Sequence, residues 1–110
     1  MILSQSQAAF AAARAGLRVL SKKELDGAPE LLVAADVNAV PPSGIEGVEV
    51  NSDGDVVSRY GAMGIGALTI GDIKYKTESG LFQKMNEAEK PVVFDFREAF
   101  ALARDLARNA

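Results

Sequence analysis

One run constrains this chain more than any other: Val33-Ala34-Ala35-Asp36-Val37-Asn38-Ala39-Val40-Pro41-Pro42-Ser43-Gly44-Ile45-Glu46-Gly47-Val48. Residues 31–37 are apolar at every position except Asp36. A strand with one wet face alternates polar and apolar residues. A strand covered on both faces does not, and that habit belongs to parallel sheets lying between helices. Pro41 and Pro42 then fix φ and remove two N–H donors, so the strand stops and the loop is stiff. Gly44 and Gly47 permit close backbone approach. Asp36 and Asn38 fall at the carboxyl end of the strand, where open α/β sheets bind their ligands. A stiff loop in that place suits the holding of a flat ligand.

The rest of the chain is consistent with strands alternating with helices, the pattern of a parallel α/β sheet. Residues 8–20 admit two readings. Their alanine content favours a helix; the other reading, a strand, a small-residue turn at Ala15-Gly16 and an extended stretch over 17–20, is what the family resemblance described below implies. Ser21 and Glu24 have the spacing of a capping box for a short helix, which Gly27 and Pro29 end. Residues 47–55 read as an extended excursion with a turn at Asn51-Ser52-Asp53-Gly54, and 56–63 as a second extended stretch. A helix is expected from Ile65 or Gly66 to Asn86. Pro91 opens a short buried strand, Val92-Val93-Phe94. Asp95 caps a final helix over 96–109 with an apolar stripe of Phe96, Ala99, Phe100, Ala103, Leu106 and Ala107. Strands 31–37 and 92–94 are expected to be neighbouring or near-neighbouring parallel strands, with the last helix packed on the sheet and Phe100 buried.

Composition narrows the chemistry. The 110 residues make one domain at most, with a modest core. The chain has no cysteine and no histidine. That removes thiol nucleophiles, disulfides, imidazole bases and the usual zinc sites. Carboxylates, lysines, hydroxyls, backbone amides or a cofactor are left. The net charge of −3, with no basic patch, argues against nucleic acid as a partner. The apolar stretch over 8–13 is short and ends at Arg14, so neither a signal peptide nor a membrane span is expected.

Gly61-Ala62-Met63-Gly64-Ile65-Gly66-Ala67-Leu68-Thr69 falls one glycine short of a dinucleotide fingerprint, with Thr69 in the third position. Gly64 and Gly66 stand at an expected helix start, where free N–H groups attract anions. Plain helix-entry geometry accounts for the pair more readily than phosphate binding does, since a lone fingerprint is weak. Asp36 either faces a ligand or caps backbone N–H groups at the strand end. Asn38 offers the donor and acceptor that a carboxamide needs, although backbone groups offer the same. Lys74 and Lys76 are, by residue type alone, two solvated lysines on a helix. Asp95 reads as a cap.

Ala35-Asp36-Val37-Asn38-Ala39-Val40-Pro41-Pro42 with Gly44-Ile45-Glu46-Gly47 resembles the NAD(P)-dependent methylene-tetrahydromethanopterin dehydrogenases of methylotrophic bacteria, which have relatives acting on methylene-tetrahydrofolate. The resemblance extends to Gly64-Ile65-Gly66-Ala67-Leu68, Ile73-Lys74-Tyr75-Lys76 and Lys90-Pro91-Val92-Val93-Phe94-Asp95-Phe96-Arg97-Glu98-Ala99-Phe100. It covers most of the chain from about Arg18 onward and matches the carboxyl-terminal part of the family. It implies an α/β fold: a partial Rossmann-like parallel sheet with flanking helices, the second half of a dinucleotide-binding domain. Residues 1–110 would then be a single partial NAD(P)-binding domain, including the long helix that leads to a substrate domain.

The resemblance further implies hydride transfer between the methylene group of a reduced pterin one-carbon carrier and NADP or NAD. It implies a catalytic role for Lys74, as a fixed positive charge near the pterin. Asp36, Asn38, Val40, Gly64 and Gly66 would be cofactor-binding. It also implies a cytoplasmic protein, a homo-oligomer at full length, without membrane or nucleic-acid partners. The 110 residues alone are expected to be inactive and to bind NAD(P) poorly, since the family's pyrophosphate loop lies upstream of the matching sequence. The alternative is a non-catalytic fold half acting as a structural or oligomerisation module.

Overall fold

The computed structural model describes residues 2–109. Three parallel strands, β1 (Ala8–Ala11), β2 (Val33–Asp36) and β4 (Met63–Ile65), form most of a four-stranded sheet. β3 (Asp53–Val56) joins β4 antiparallel, giving the order β1-β2-β4-β3. The sheet is therefore mixed rather than wholly parallel. A tight turn, in which the Gly61 N–H donates to the Ser58 carbonyl at 3.1 Å, returns the chain directly from β3 to β4. So short a connection permits only an antiparallel pair. The α/β expectation stands, with a hairpin edge added.

Register explains the small residues. Ala9, Ala34 and Gly64 lie abreast on β1, β2 and β4. Period 2 puts them on the same face as Ala11 and Asp36. Against that face lies the core: Leu25, Ala28, Leu31, Ile45, Val48, Val57 and Ala62, all buried. The opposite face carries Phe10, Val56 and Met63, all exposed. The first segment resolves in favour of the strand. β1 forms at Ala8–Ala11, and Leu20 later makes a parallel bridge to Ile45. Four residues that pair with β2 gain more from the ladder than alanine gains as a helix former.

The short helix α1 (Lys22–Asp26) carries both halves of the expected capping box, Ser21 on the Glu24 amide and Glu24 on the Ser21 amide. Leu25, fully buried, is its anchor. Asp26 accepts the Arg59 N–H at 2.9 Å. That bond, helped by Lys22, holds the Asp26 carboxyl below the usual carboxylate range.

The chain divides into two compact units, Met1–Ile70 and Gly71–Ala110. The sheet and its core belong to the first. Helix α2 (Ala67–Glu87) begins in the first and continues into the second, and α3 (Phe96–Arg108) lies wholly in the second. In the second unit, α2 and α3 meet where Gly80 leaves room for Leu102; a Cβ there would stand 2.8 Å from Leu102 Cδ2.

Two expectations fail here. Val92-Val93-Phe94 forms no strand and joins no ladder, so it is not a parallel neighbour of β2. Three residues behind a proline offer few ladder bonds, and apolar content alone does not supply an edge to pair with. Phe100 is not buried either: it is 65% exposed, and Phe96 is exposed as well. α3 turns Ala99, Leu102, Ala103 and Leu106 to partial cover instead. The two rings lie under arginines, Arg97 at 5.9 Å from Phe96 and Arg104 at 5.6 Å from Phe100. Asp95 does cap α3, in a full capping box with Glu98. Hydrogen bonds from the Arg97 side chain, and then from its backbone N–H, pull the Asp95 carboxyl down to about 2.

Candidate functional site

The loops that follow β1 and β2 meet at the carboxyl ends of their strands. A Cβ placed on Gly16 would stand 3.7 Å from the Pro41 carbonyl. Between these loops and residues 48–50 lies a cleft of about 230 Å³, lined by Arg18, Asn38, Val40, Pro41, Ser43 and Glu49 among others. Leu17, Val19, Val37 and Val40, all on these two loops, remain about half exposed. The cleft lies at the carboxyl ends of parallel strands, the side on which open α/β sheets bind ligands.

Asp36 builds the loop. Its side chain is buried, and its two oxygens are divided between two backbone donors. Oδ1 accepts the Asn38 N–H at 2.9 Å, and Oδ2 accepts the Ile45 N–H at 3.0 Å. One carboxylate thus closes a loop whose ends lie nine residues apart. Gly44 makes room for it; a Cβ there would stand 3.0 Å from Asp36 Oδ1 and 3.3 Å from Ala11 Cβ. Asn38 braces the interior: Oδ1 accepts the Val40 N–H at 2.9 Å and Nδ2 donates to the Pro42 carbonyl at 3.0 Å. The Pro41–Pro42 peptide is cis.

The segment before α1 clamps the far end. The Val19 and Leu20 N–H groups donate to the Gly44 carbonyl, and the Glu46 N–H donates to the Leu20 carbonyl. Arg18 Nε donates to the Ser43 carbonyl at 2.7 Å. Every polar atom of Asp36 and Asn38 that the loop can use is turned inward. The exposed Ala39 and Val40 line the cleft as well, and the Ala39 N–H has no acceptor among the described residues. These groups suit one end of a flat, partly apolar ring carrying a carboxamide.

The glycine cluster serves a different end. Gly64 is in β4, buried against Val57 and Val48. Gly66 precedes α2, where a Cβ would run into the Glu49 carbonyl. Its N–H donates to the Ser52 carbonyl at 2.9 Å, and the Leu68 N–H donates to the Val50 carbonyl at 2.8 Å. Thr69 Oγ1 adds a bond to Ser52 at 2.9 Å. The helix start is stitched to residues 49–52, so two of the donors that a phosphate needs there are occupied.

Lys74 lies on α2 in the second unit, exposed, with no acceptor among the described residues. Lys76 is paired with Asp72 at 2.8 Å. Among the described residues Lys76 is ion-paired and Lys74 is not. Sequence reasoning missed Arg18. Its partners Ser43 and Glu46 lie more than twenty residues away, and no local pattern announces such a contact. No group of three or more acidic residues placed to hold a metal ion occurs among the described residues. No described helix is long and apolar enough to cross a membrane.

No protein-family profile matches the chain. It is similar to the NAD(P)-dependent methylenetetrahydromethanopterin dehydrogenase of Methylorubrum extorquens, 43% identical over 105 residues, or 96% of this chain and 35% of that protein. It is also similar to the bifunctional protein MdtA of the same organism, 33% identical over 99 residues, or 89% of this chain and 33% of that protein. The resemblance carried by the motifs thus extends over nearly the whole chain. The chain spans about a third of the length of the curated relatives it matches.

Proposed function

We propose that this chain forms the nicotinamide-side half of an NAD(P) site in a methylene-tetrahydromethanopterin dehydrogenase. The observation that carries the reading is the loop over residues 37–46. It is locked from within by Asp36 and Asn38 and clamped from outside by residues 18–20, and its Ala39 and Val40 line a cleft at the carboxyl ends of β1 and β2. Locking a loop before the ligand arrives removes an ordering cost from binding.

NAD(P) held by this loop would supply the hydride acceptor for the methylene group of the reduced one-carbon carrier. That transfer requires no proton acceptor from the protein, in keeping with a chain that has no histidine and no cysteine. The residues position and polarise. Val40 and the Ala39 backbone orient the ring and its carboxamide. Asp36 and Asn38 belong to the cofactor site as the frame of that loop. Gly64 and Gly66 seat the start of α2 beside residues 48–50, which line the cleft. Lys74 supplies a fixed positive charge to the carrier. The same reading includes a cytoplasmic, homo-oligomeric full-length enzyme.

These residues fit the nicotinamide end of the cofactor, and the start of α2 offers its pyrophosphate no cradle, because the donors at Gly66 and Leu68 are occupied. Titration of NADP⁺ and NAD⁺ into the ¹⁵N-labelled chain tests this. Weak binding is expected, with amide shifts concentrated at Val37, Asn38, Ala39, Val40 and Ser43. Low-micromolar affinity would overturn the half-site reading. Shifts confined to other residues, or none at millimolar cofactor, would leave the rival reading, a fold half without a cofactor role.

A further inference from the structure

Arg18 enters the cleft from the loop after β1, and its guanidinium is already aimed. Nε–H donates to the Ser43 carbonyl at 2.7 Å, and Nη1 lies 3.3 Å from Glu46 Oε2. Glu46 is itself fixed, since its other oxygen accepts the Lys22 N–H at 2.6 Å. A guanidinium carries five N–H donors in a rigid fork. One, at Nε, is hydrogen-bonded and Nη1 is ion-paired with Glu46; the fork has no other acceptor among the described residues. The side chain is 36% exposed.

Among the residues lining the cleft Arg18 is the cation and Glu49 the acid. A strut for the Ser43 carbonyl needs only Nε. A charged fork with no further acceptor, held still at the wall of a cleft, can do more. We infer that Arg18 recognises an oxyanion of the ligand, a pair of phosphate oxygens taken in fork-to-fork geometry. Glu46 holds the place until the anion arrives and competes with it. The inference rests on reading the cleft as a ligand site, but not on the identity of the hydride donor.

Inorganic pyrophosphate titrated into the ¹⁵N-labelled chain, at constant ionic strength and with acetate as control, tests it without any cofactor. The Arg18 Nε–H resonance and the Val40 and Ser43 amides should shift saturably with pyrophosphate and not with acetate. Arg18→Gln should weaken the apparent affinity by about tenfold or more, since a bidentate charged pair is lost. Arg18→Lys, keeping the charge without the fork, should fall between, and Glu46→Gln should tighten binding by removing the competitor.

No saturable shift would overturn the assignment. So would an unchanged response in Arg18→Gln, equality of Arg18→Lys with the parent, or no tightening in Glu46→Gln. An equal response to acetate would overturn the phosphate class. If Arg18→Gln disturbs the loop, visible at the Val37 and Ile45 amides, the Lys and Glu46 variants decide. A failure here with NAD(P)⁺ shifts retained at Val37 and Val40 removes Arg18 alone and leaves the cofactor reading standing.

Discussion

Replacing Asp36 by alanine should be among the costlier changes in this chain. The substitution strips the acceptor from two backbone donors, the Asn38 N–H at 2.9 Å and the Ile45 N–H at 3.0 Å. A buried donor left unsatisfied costs about 1–3 kcal/mol. Ile45 is fully buried, whereas Asn38 retains 9% exposure and stands nearer to water. Charging the first in full and the second in part puts the loss at about 2–4 kcal/mol. For a domain of ordinary stability, roughly 5–15 kcal/mol, that is a large fraction. Asp36→Asn should cost nearly as much, because its Nδ2 would turn a donor against a donor.

Gly44→Ala offers an independent check. Its Cβ would stand 3.0 Å from Asp36 Oδ1, and overpacking of this kind costs about 1–3 kcal/mol. Part of that strain vanishes once the carboxylate is gone. The Asp36→Ala/Gly44→Ala cycle should therefore show coupling of about 0.5–3 kcal/mol, the two changes together costing less than their sum. The chain has no tryptophan, so urea unfolding is best followed by far-ultraviolet circular dichroism, with hydrogen exchange at the Ile45 amide. A loss under about 1 kcal/mol for Asp36→Ala, an Ile45 amide that stays protected, or strict additivity would refute the reasoning.

Gly66→Ala should be worse tolerated than Gly71→Ala. The first Cβ meets the Glu49 carbonyl, which is backbone and cannot step aside, while the second meets open space. Melting temperatures should fall sharply for the one and hardly at all, or rise, for the other. Acid should loosen the start of α3. The Asp95 carboxyl sits at about 2 in the folded protein against 3.8 when free, held down first by the Arg97 side chain. A group lowered on folding stabilises above its free value and loses that contribution as pH falls toward the folded one. Protection of the Ala99 amide should therefore hold at pH 5 and be lost between about pH 4 and pH 2. In Asp95→Asn that step should disappear.

What the sequence disclosed was mostly local. Both capping boxes are four-residue statements, Ser21 with Glu24 and Asp95 with Glu98, and both form. The apolar run that ends at Asp36 forms a strand because nothing in it suits another fate. The long helix begins and ends within a residue or two of expectation. The failures required partners elsewhere. Asp53-Gly54-Asp55-Val56 has no strand propensity to speak of and is a strand only because β4 follows a tight turn later. Val92-Val93-Phe94 has the propensity and lacks the edge. The stripe on α3 located an apolar face but not the rotation that leaves Phe100 outside. In the site, Asp36 and Asn38 were legible as important residues at a strand end. That they spend their polar atoms on the loop itself depends on Ile45 and Pro42, which only folding brings to them.

The most direct test is a chimera. The 105 aligned residues of this chain replace their counterparts in the Methylorubrum extorquens dehydrogenase to which they are 43% identical, and reduction of NAD(P)⁺ by the methylene carrier is followed. The account predicts a folded chimera that turns over. It also predicts that Lys74→Ala will lower kcat by roughly 10²–10³, the scale of one lost transition-state charge contact, with cofactor affinity largely intact, whereas Lys76→Ala does much less. A folded chimera that binds NAD(P)⁺ but transfers no hydride, or one in which both lysine variants behave alike, would contradict it.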